Sequence, residues 1–211
     1  MGKIKDGILG SVVGPVGPVI GATWKGKAVV KSRPLVVSNP NTPAQKAARL
    51  KFGIASKFAY NVQPMIMEGL KSLATDITQV NVCVRHMLQN AIVGTYPDYV
   101  INFNDVLLSY GEFEQLAITN CLHDDRYLVV EWEPVGVGQL ATAEDEISFV
   151  LYCKSLSQAI CHVNMYVRRD GRCKISFPKS WIGLDIFVYC SVKSKTTGDF
   201  CMSELIYTFC P

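Results

Sequence analysis

The spacing of hydrophobic and polar positions changes twice along this chain, and each change marks a change of element. Between residues 11 and 37 the β-branched Val12, Val13, Val16, Val19, Ile20, Val29, Val30, Val36 and Val37 are separated by glycines and prolines. Such side chains fit a pleated strand better than a helix, so this segment is expected as short extended strands with turns. Trp24 to Lys27 reads as a turn between two of them, with Gly26 supplying a permissive backbone. So much glycine leaves little side chain for a core, and the segment must lie against something else.

At Asn39-Pro40-Asn41-Thr42-Pro43 the chain turns, and Thr42 followed by Pro43 makes a good N-cap and first helical residue. Ala44, Ala47, Ala48, Leu50, Ile54, Ala55 and Phe58 then recur at helical spacing, with Lys46, Arg49, Lys51 and Lys57 at polar positions. A second helix is expected from Asn61, with Pro64 in its first turn and Met65, Ile66, Leu70 and Leu73 on its apolar side. A third is expected over 76–93 through Val80, Val84, Met87, Leu88, Ala91 and Ile92, ended by Gly94. After Tyr96-Pro97 the period becomes two, which predicts strands at 99–103, 112–118, 127–133, 146–153, 158–163, 173–177, 185–193 and 201–209. Turn signals at Arg169-Asp170-Gly171 and Thr197-Gly198-Asp199 fit an antiparallel sandwich.

Three resemblances add to this pattern. Gly2, Lys3, Ile4, Gly7, Gly10, Gly14, Gly17, Gly21, Trp24, Lys25 and Gly26 resemble the opening of a family of uncharacterised proteins found mainly in Bacteroidota and their mobile elements. The likeness continues through Arg33-Pro34, Asn39-Pro40, Thr42-Pro43-Ala44-Gln45, Arg49 and Phe52, and is strongest up to Tyr99. The block NPxTPAQxxxR is also similar to a stretch in hypothetical proteins of tailed-phage structural gene clusters. In the second half, YLVVEWEP at 127–134 resembles the second strand of fibronectin type III domains, whose Trp packs in the core, and IFVYCSV at 186–192 resembles their long late strand. None of these carries a known activity, so no catalytic residue is implied.

Pattern and resemblance together predict an α+β chain: a Gly-rich β arm or hairpin (1–38), a helical module (39–95), a connector (96–109) and an antiparallel fibronectin- or immunoglobulin-like β-sandwich (110–211). With 211 residues, 49% hydrophobic and 18% charged, the chain can bury a substantial core and is not a disordered one. Its net charge of +3 hides an asymmetry. Residues 1–60 hold ten Lys or Arg against one acid, Asp6, a net of +9, while residues 61–211 hold eleven against seventeen, a net of −6. Such a basic end suits nucleic acid or the acidic surface of a neighbouring copy.

Lys3 and Lys5 before an apolar stretch resemble a signal peptide, but Gly10, Gly14, Pro15, Gly17, Pro18 and Gly21 interrupt it and no cleavage site follows. Asp6 stands where myristoylation wants Ser or Thr, and no apolar run is long enough for a membrane span. Of the eight cysteines, Cys121, Cys153, Cys161, Cys173, Cys190, Cys201 and Cys210 lie in the second half. Strand spacing among apolar residues fits free core thiols, with structural disulfides as the alternative. Zinc lacks a CxxC pair.

No catalytic, cofactor-binding or metal residue is expected. His86 falls on the third helix, where a structural or surface role is expected, His123 in an apparent solvated loop before Asp124-Asp125, and His162 beside Cys161 on a strand, where nothing marks it as a ligand or base. Glu144-Asp145-Glu146 reads as a solvated acidic turn, and the N-terminal glycines do not form a phosphate loop. The expectation is a non-enzymatic structural subunit, a component of a phage virion or tail-like particle assembled in the bacterial cytoplasm. It would self-associate or contact other particle subunits through Gly14, Gly17, Gly21, Trp24, Lys25, Arg33, Arg49 and Phe52. A cell-surface or secreted adhesion module, and a nucleic-acid-binding protein using the basic N-terminal third, are the alternatives.

Overall fold

The computed structural model describes residues 3–4, 10–24, 27–36, 39–124, 126–136, 138 and 140–209. The chain divides into two compact units, Met1–Thr42 and Pro43–Pro211. In the first, β1 (Lys3–Ile4), β2 (Val12–Val16), β3 (Val19–Trp24) and β4 (Lys27–Ser32) pair antiparallel in that order. Gly17, at φ 54°, lies in the connection that brings Val16 opposite Val19. Trp24 pairs with Lys27, so the β3–β4 connection falls at the expected turn; Lys25 and Gly26 lie outside the described residues, as do Val37 and Cys210.

The second unit opens with α1 (Pro43–Asn61) and α2 (Gln63–Gly69), which begin close to where Thr42-Pro43 and Pro64 place them. The third helix, α3 (Gln79–His86), starts three residues later than the pattern implies, because Thr78 takes the N-cap and its Oγ1 accepts a hydrogen bond from the Asn81 amide at 3.3 Å. It passes into a π turn (Met87–Ala91) and stops there. The β-branched Ile92-Val93, expected as its last turn, instead forms β5 (Ile92–Val93) against β6 (Val100–Ile101).

Seven strands follow: β7 (Ile118–Asp124), β8 (Tyr127–Trp132), β9 (Glu146–Cys153), β10 (Gln158–Val167), β11 (Arg172–Ser176), β12 (Ile186–Lys193) and β13 (Glu204–Phe209). They form a four-stranded sheet, β10-β9-β12-β13, and a three-stranded sheet, β11-β8-β7, both antiparallel. The fold class is α+β with antiparallel sheets. Two expected strands differ. At 99–103 only Val100–Ile101 pairs, because a 3-10 turn (Phe103–Asp105) capped by Asn102 follows. Residues 112–117 are irregular apart from a bridge between Glu112 and Cys201, and the strand begins at Ile118. The stretch around His123 is therefore strand and not loop; as an edge strand, β7 exposes most of its side chains and carries a polar sequence that hides its period.

β9 explains the layering. Ile147, Phe149, Leu151 and Cys153 point into a core shared with Leu128, Val130 and Trp132 of β8 and Ile175 of β11, while Val150 and Tyr152 join a second core with Phe58, Met65, Ile66 and Met87 of the helices. β12 divides in the same way, with Val188, Cys190 and Val192 on the first side and Tyr189 on the second. The four-stranded sheet is thus covered by the three-stranded sheet on one face and by helices on the other. Phe103, Val106 and Leu108, from the segment expected as a connector, belong to the helix-side core. Phe103 stacks on Phe187 with ring centroids 3.7 Å apart, and the Tyr189 hydroxyl donates to the Phe103 carbonyl at 2.8 Å.

Trp132 is buried, as its resemblance implied, and its indole N–H donates to the Arg168 carbonyl at 2.7 Å. Arg168 is itself buried, with Nε 3.3 Å from Asp145 Oδ2. Asp145 also accepts from the Thr142 amide and hydroxyl and the Lys195 amide. This corrects the reading of Glu144-Asp145-Glu146 as a solvated turn: Glu144 and Glu146 pair with Arg169 and Lys195, but Asp145 is fully buried because four donors converge on it. Removing one partner of such a pair leaves an uncompensated buried charge. Asp145→Ala is expected to lower unfolding stability by about 3–5 kcal/mol in denaturant titrations, whereas Asp145→Ala combined with Arg168→Met, which removes both charges, should cost less.

The seven described cysteines are free thiols, and Cys83, Cys153, Cys173, Cys190 and Cys201 are buried. Burial pushes the Cys83 and Cys173 thiols up to about 12 and the half-buried Cys121 and Cys161 thiols up to about 11. Because the thiolate is the reactive form, iodoacetamide at pH 8 is expected to modify the five buried cysteines only after denaturation, read by mass spectrometry.

Candidate functional site

The arm holds most of the residues expected to make contacts. Among the described residues of the Met1–Thr42 unit no hydrophobic side chain is buried. Val13, Val16, Val19, Val29 and Val30 are exposed, Leu35 is 99% exposed and Val36 85%. All six residues of β4 are exposed, and β4 is an edge of its sheet. Gly14, at φ 105°, pairs with Gly21, and a Cβ at Gly21 would overlap the Val12 carbonyl. These glycines, with Gly17, shape the arm's own pairing. The Arg33 amide donates to the Pro18 carbonyl at 2.7 Å, which ties the end of β4 to the β2–β3 turn. The side chain of Trp24 and all of Lys25 lie outside the described residues.

Arg49 and Phe52 belong to the second unit. Both are exposed on α1, where they line, with Lys51, Gly53 and Leu88, a shallow depression of about 550 Å³. Lys51 Nζ lies 4.7 Å from the centre of the Tyr99 ring. The expected contact residues are therefore gathered in two groups, Gly14, Gly17, Gly21 and Arg33 in the arm sheet and Arg49 with Phe52 on the helix.

A larger groove, of about 1280 Å³, has no counterpart in the sequence reading. The end of α2, residues 110–114, the loop near Gly138 and the β12–β13 connection bound it. Lys193 Nζ sits 3.7 Å from Glu68 and 3.8 Å from Glu146, and Glu114 accepts the Gly138 amide and lies 3.7 Å from Arg168. Gly111 permits close approach, since a Cβ there would overlap the Phe200 carbonyl. Only the Thr197-Gly198-Asp199 turn was legible, with Gly198 at φ 78°. The other walls are remote in sequence and carry no common motif.

The histidines make local contacts. His123 Nδ1 is 3.1 Å from the Tyr207 hydroxyl and its ring lies over Phe209 at 3.7 Å. His162 stacks on Tyr166, with Nδ1 2.8 Å from the hydroxyl. The buried Nδ1 of His86 has no hydrogen-bond partner among the described residues. Among those residues no group of three or more His, Cys, Asp or Glu is placed to hold a metal, and no helix is long and apolar enough to cross a membrane.

These features define an α+β protein with antiparallel sheets, with the basic arm as a candidate contact element. The chain belongs to DUF6266, a family of unknown function whose model matches residues 11–206. No curated protein and no solved structure gives a match.

Burial lowers the proton affinity of His86 and His162 below the ordinary 6.5, with Asp105 partly opposing the shift at His86. The unfolded chain then binds more protons than the folded one, so the stability these groups contribute is present above pH 6.5 and lost as pH falls below it. Unfolding free energy is expected to fall between pH 7.5 and pH 5, with a shallower slope in His86→Gln, measured by urea titration at each pH.

Proposed function

We propose that this chain is a non-enzymatic assembly subunit whose arm docks on neighbouring copies, as a component of a phage virion or tail-like particle. The arm carries the reading: a four-stranded sheet with an exposed edge, exposed valines and no buried hydrophobic side chain among its described residues. An open edge strand with exposed apolar side chains favours pairing with another chain. Charge gives the direction. The arm unit, residues 1–42, has six Lys or Arg against one acid, +5, while residues 43–211 have fifteen against seventeen, −2. A basic arm is attracted to the remainder of another copy and repelled by another arm.

The folded unit supports a spacer or binding role. Its first, second and fifth sandwich strands share one sheet and the third, fourth, sixth and seventh the other, with Trp132 buried on the second strand. That partition supports a fibronectin type III-like reading. The fold by itself fixes no activity. A second reading, nucleic-acid binding, is favoured by the exposed Arg49 and Phe52 beside Lys51 on α1, a cation and aromatic combination suited to phosphates and bases.

Trp24→Ala is expected to weaken assembly, measured by light scattering, while leaving the melting midpoint of the second unit unchanged; equal loss of both would mark an ordinary core Trp. Arg49→Glu should reduce assembly at low salt, whereas loss of DNA retention with assembly intact would favour the nucleic-acid reading. Oxidised thiols in native material would favour an exported adhesion module.

A further inference from the structure

We propose that the large groove of the second unit receives the Arg33-Pro34-Leu35-Val36 segment of a second copy. The inference rests on the assembly reading and names the surface on which the arm lands. Leu35 and Val36 are the most exposed large apolar side chains among the described residues, and they directly follow the edge strand β4. Beside them, the Arg33 guanidinium has no ion-pair partner among the described residues. Pro34 holds Arg33 toward extended backbone and reduces the freedom lost when the segment is fixed.

The groove offers the complement of each feature. Four carboxylates line it, Glu68, Glu112, Glu114 and Asp199, against two amines, Lys71 and Lys193. Glu68 and Glu114 already face Lys193 and Arg168, but Glu112 and Asp199 are exposed and make no ion pair among the described residues. The lining also includes the apolar side chains Leu140, at 63% exposure, and Tyr110, at 42%. Its volume of about 1280 Å³ exceeds the ~300–1,000 Å³ of ordinary small-molecule sites and suits a peptide segment. Arg33 then meets Glu112 and Asp199, and Leu35 covers the apolar floor.

Arm and groove are different surfaces, so the contact is heterologous. Each copy donates one arm and receives another, which closes a ring or extends a filament. Arm-to-arm pairing would instead bring two units of +5 together.

Light scattering of the full-length protein over a range of concentrations tests this, with circular dichroism confirming that each variant folds. Leu35→Asp is expected to weaken self-association about tenfold or more, and the pair Glu112→Lys with Asp199→Lys to do the same. Adding Arg33→Glu to that pair should restore much of the association, a rescue that damage to the fold would not give. If Leu35→Asp abolishes association but Glu112→Lys with Asp199→Lys leaves it unchanged, the groove assignment falls and the assembly reading stands. A wild-type protein monomeric at every concentration overturns both. Variants that change the melting point of a concentration-independent monomer place the segment in its own copy's groove and overturn the exchange between copies.

Discussion

Everything in the second unit depends on a β-sheet that is buried on both faces. β9 and β12 sit at its centre, and alternate residues of each strand enter different cores: Phe149, Leu151, Val188 and Cys190 on the sheet side, Val150, Tyr152 and Tyr189 on the helix side. Such a sheet needs a cover on each side, because uncovering either would return a row of large apolar side chains to water at roughly 25 cal/mol for each Å² exposed. The three-stranded sheet provides one cover. α1, α2 and α3 provide the other, so the helices are a layer of the fold and share its core.

That layering also sets where contacts with other molecules are available. With both faces of the central sheet occupied, the large groove lies at a margin, where α2, the 110–114 segment and the β12–β13 connection meet, and the shallower depression lies on α1. Arg168 and Asp145 stiffen one side of this margin: the buried pair is joined to Glu114 on the groove wall and to Trp132 through the Arg168 carbonyl. The arm obeys the opposite logic. Its glycines allow tight pairing within a small sheet, and among its described residues Val13, Val16, Val19, Val29 and Val30 are exposed.

Much of the local structure is legible in the sequence because local physics decides it. Pro43 starts α1, the alternation of 127–132 gives β8 with Trp132 inside, and the continuous apolar runs of 146–153 and 186–193 are the two strands buried on both sides. β7 was hidden because an edge strand tolerates the polar residues of Asn120 to Asp124. Asp145 was misread because an acidic triplet looks the same whether its middle carboxylate faces water or four converging donors. The proposed contact residues, the arm's glycines and the helix pair Arg49 and Phe52, come from composition and spacing, whereas the groove has no signal in the sequence.

The sequence by itself determined most of the elements, the basic arm poor in core-forming side chains and the charge difference between the chain's two ends, since these follow from residue type and nearest-neighbour spacing. Tertiary structure alone decided that the helices cover one face of the four-stranded sheet, that Arg168 meets Asp145, and that segments near residues 68, 112, 140 and 199 line one groove. Those outcomes depend on which surfaces pack together across long stretches of chain, and no local pattern of hydrophobic and polar positions encodes that choice.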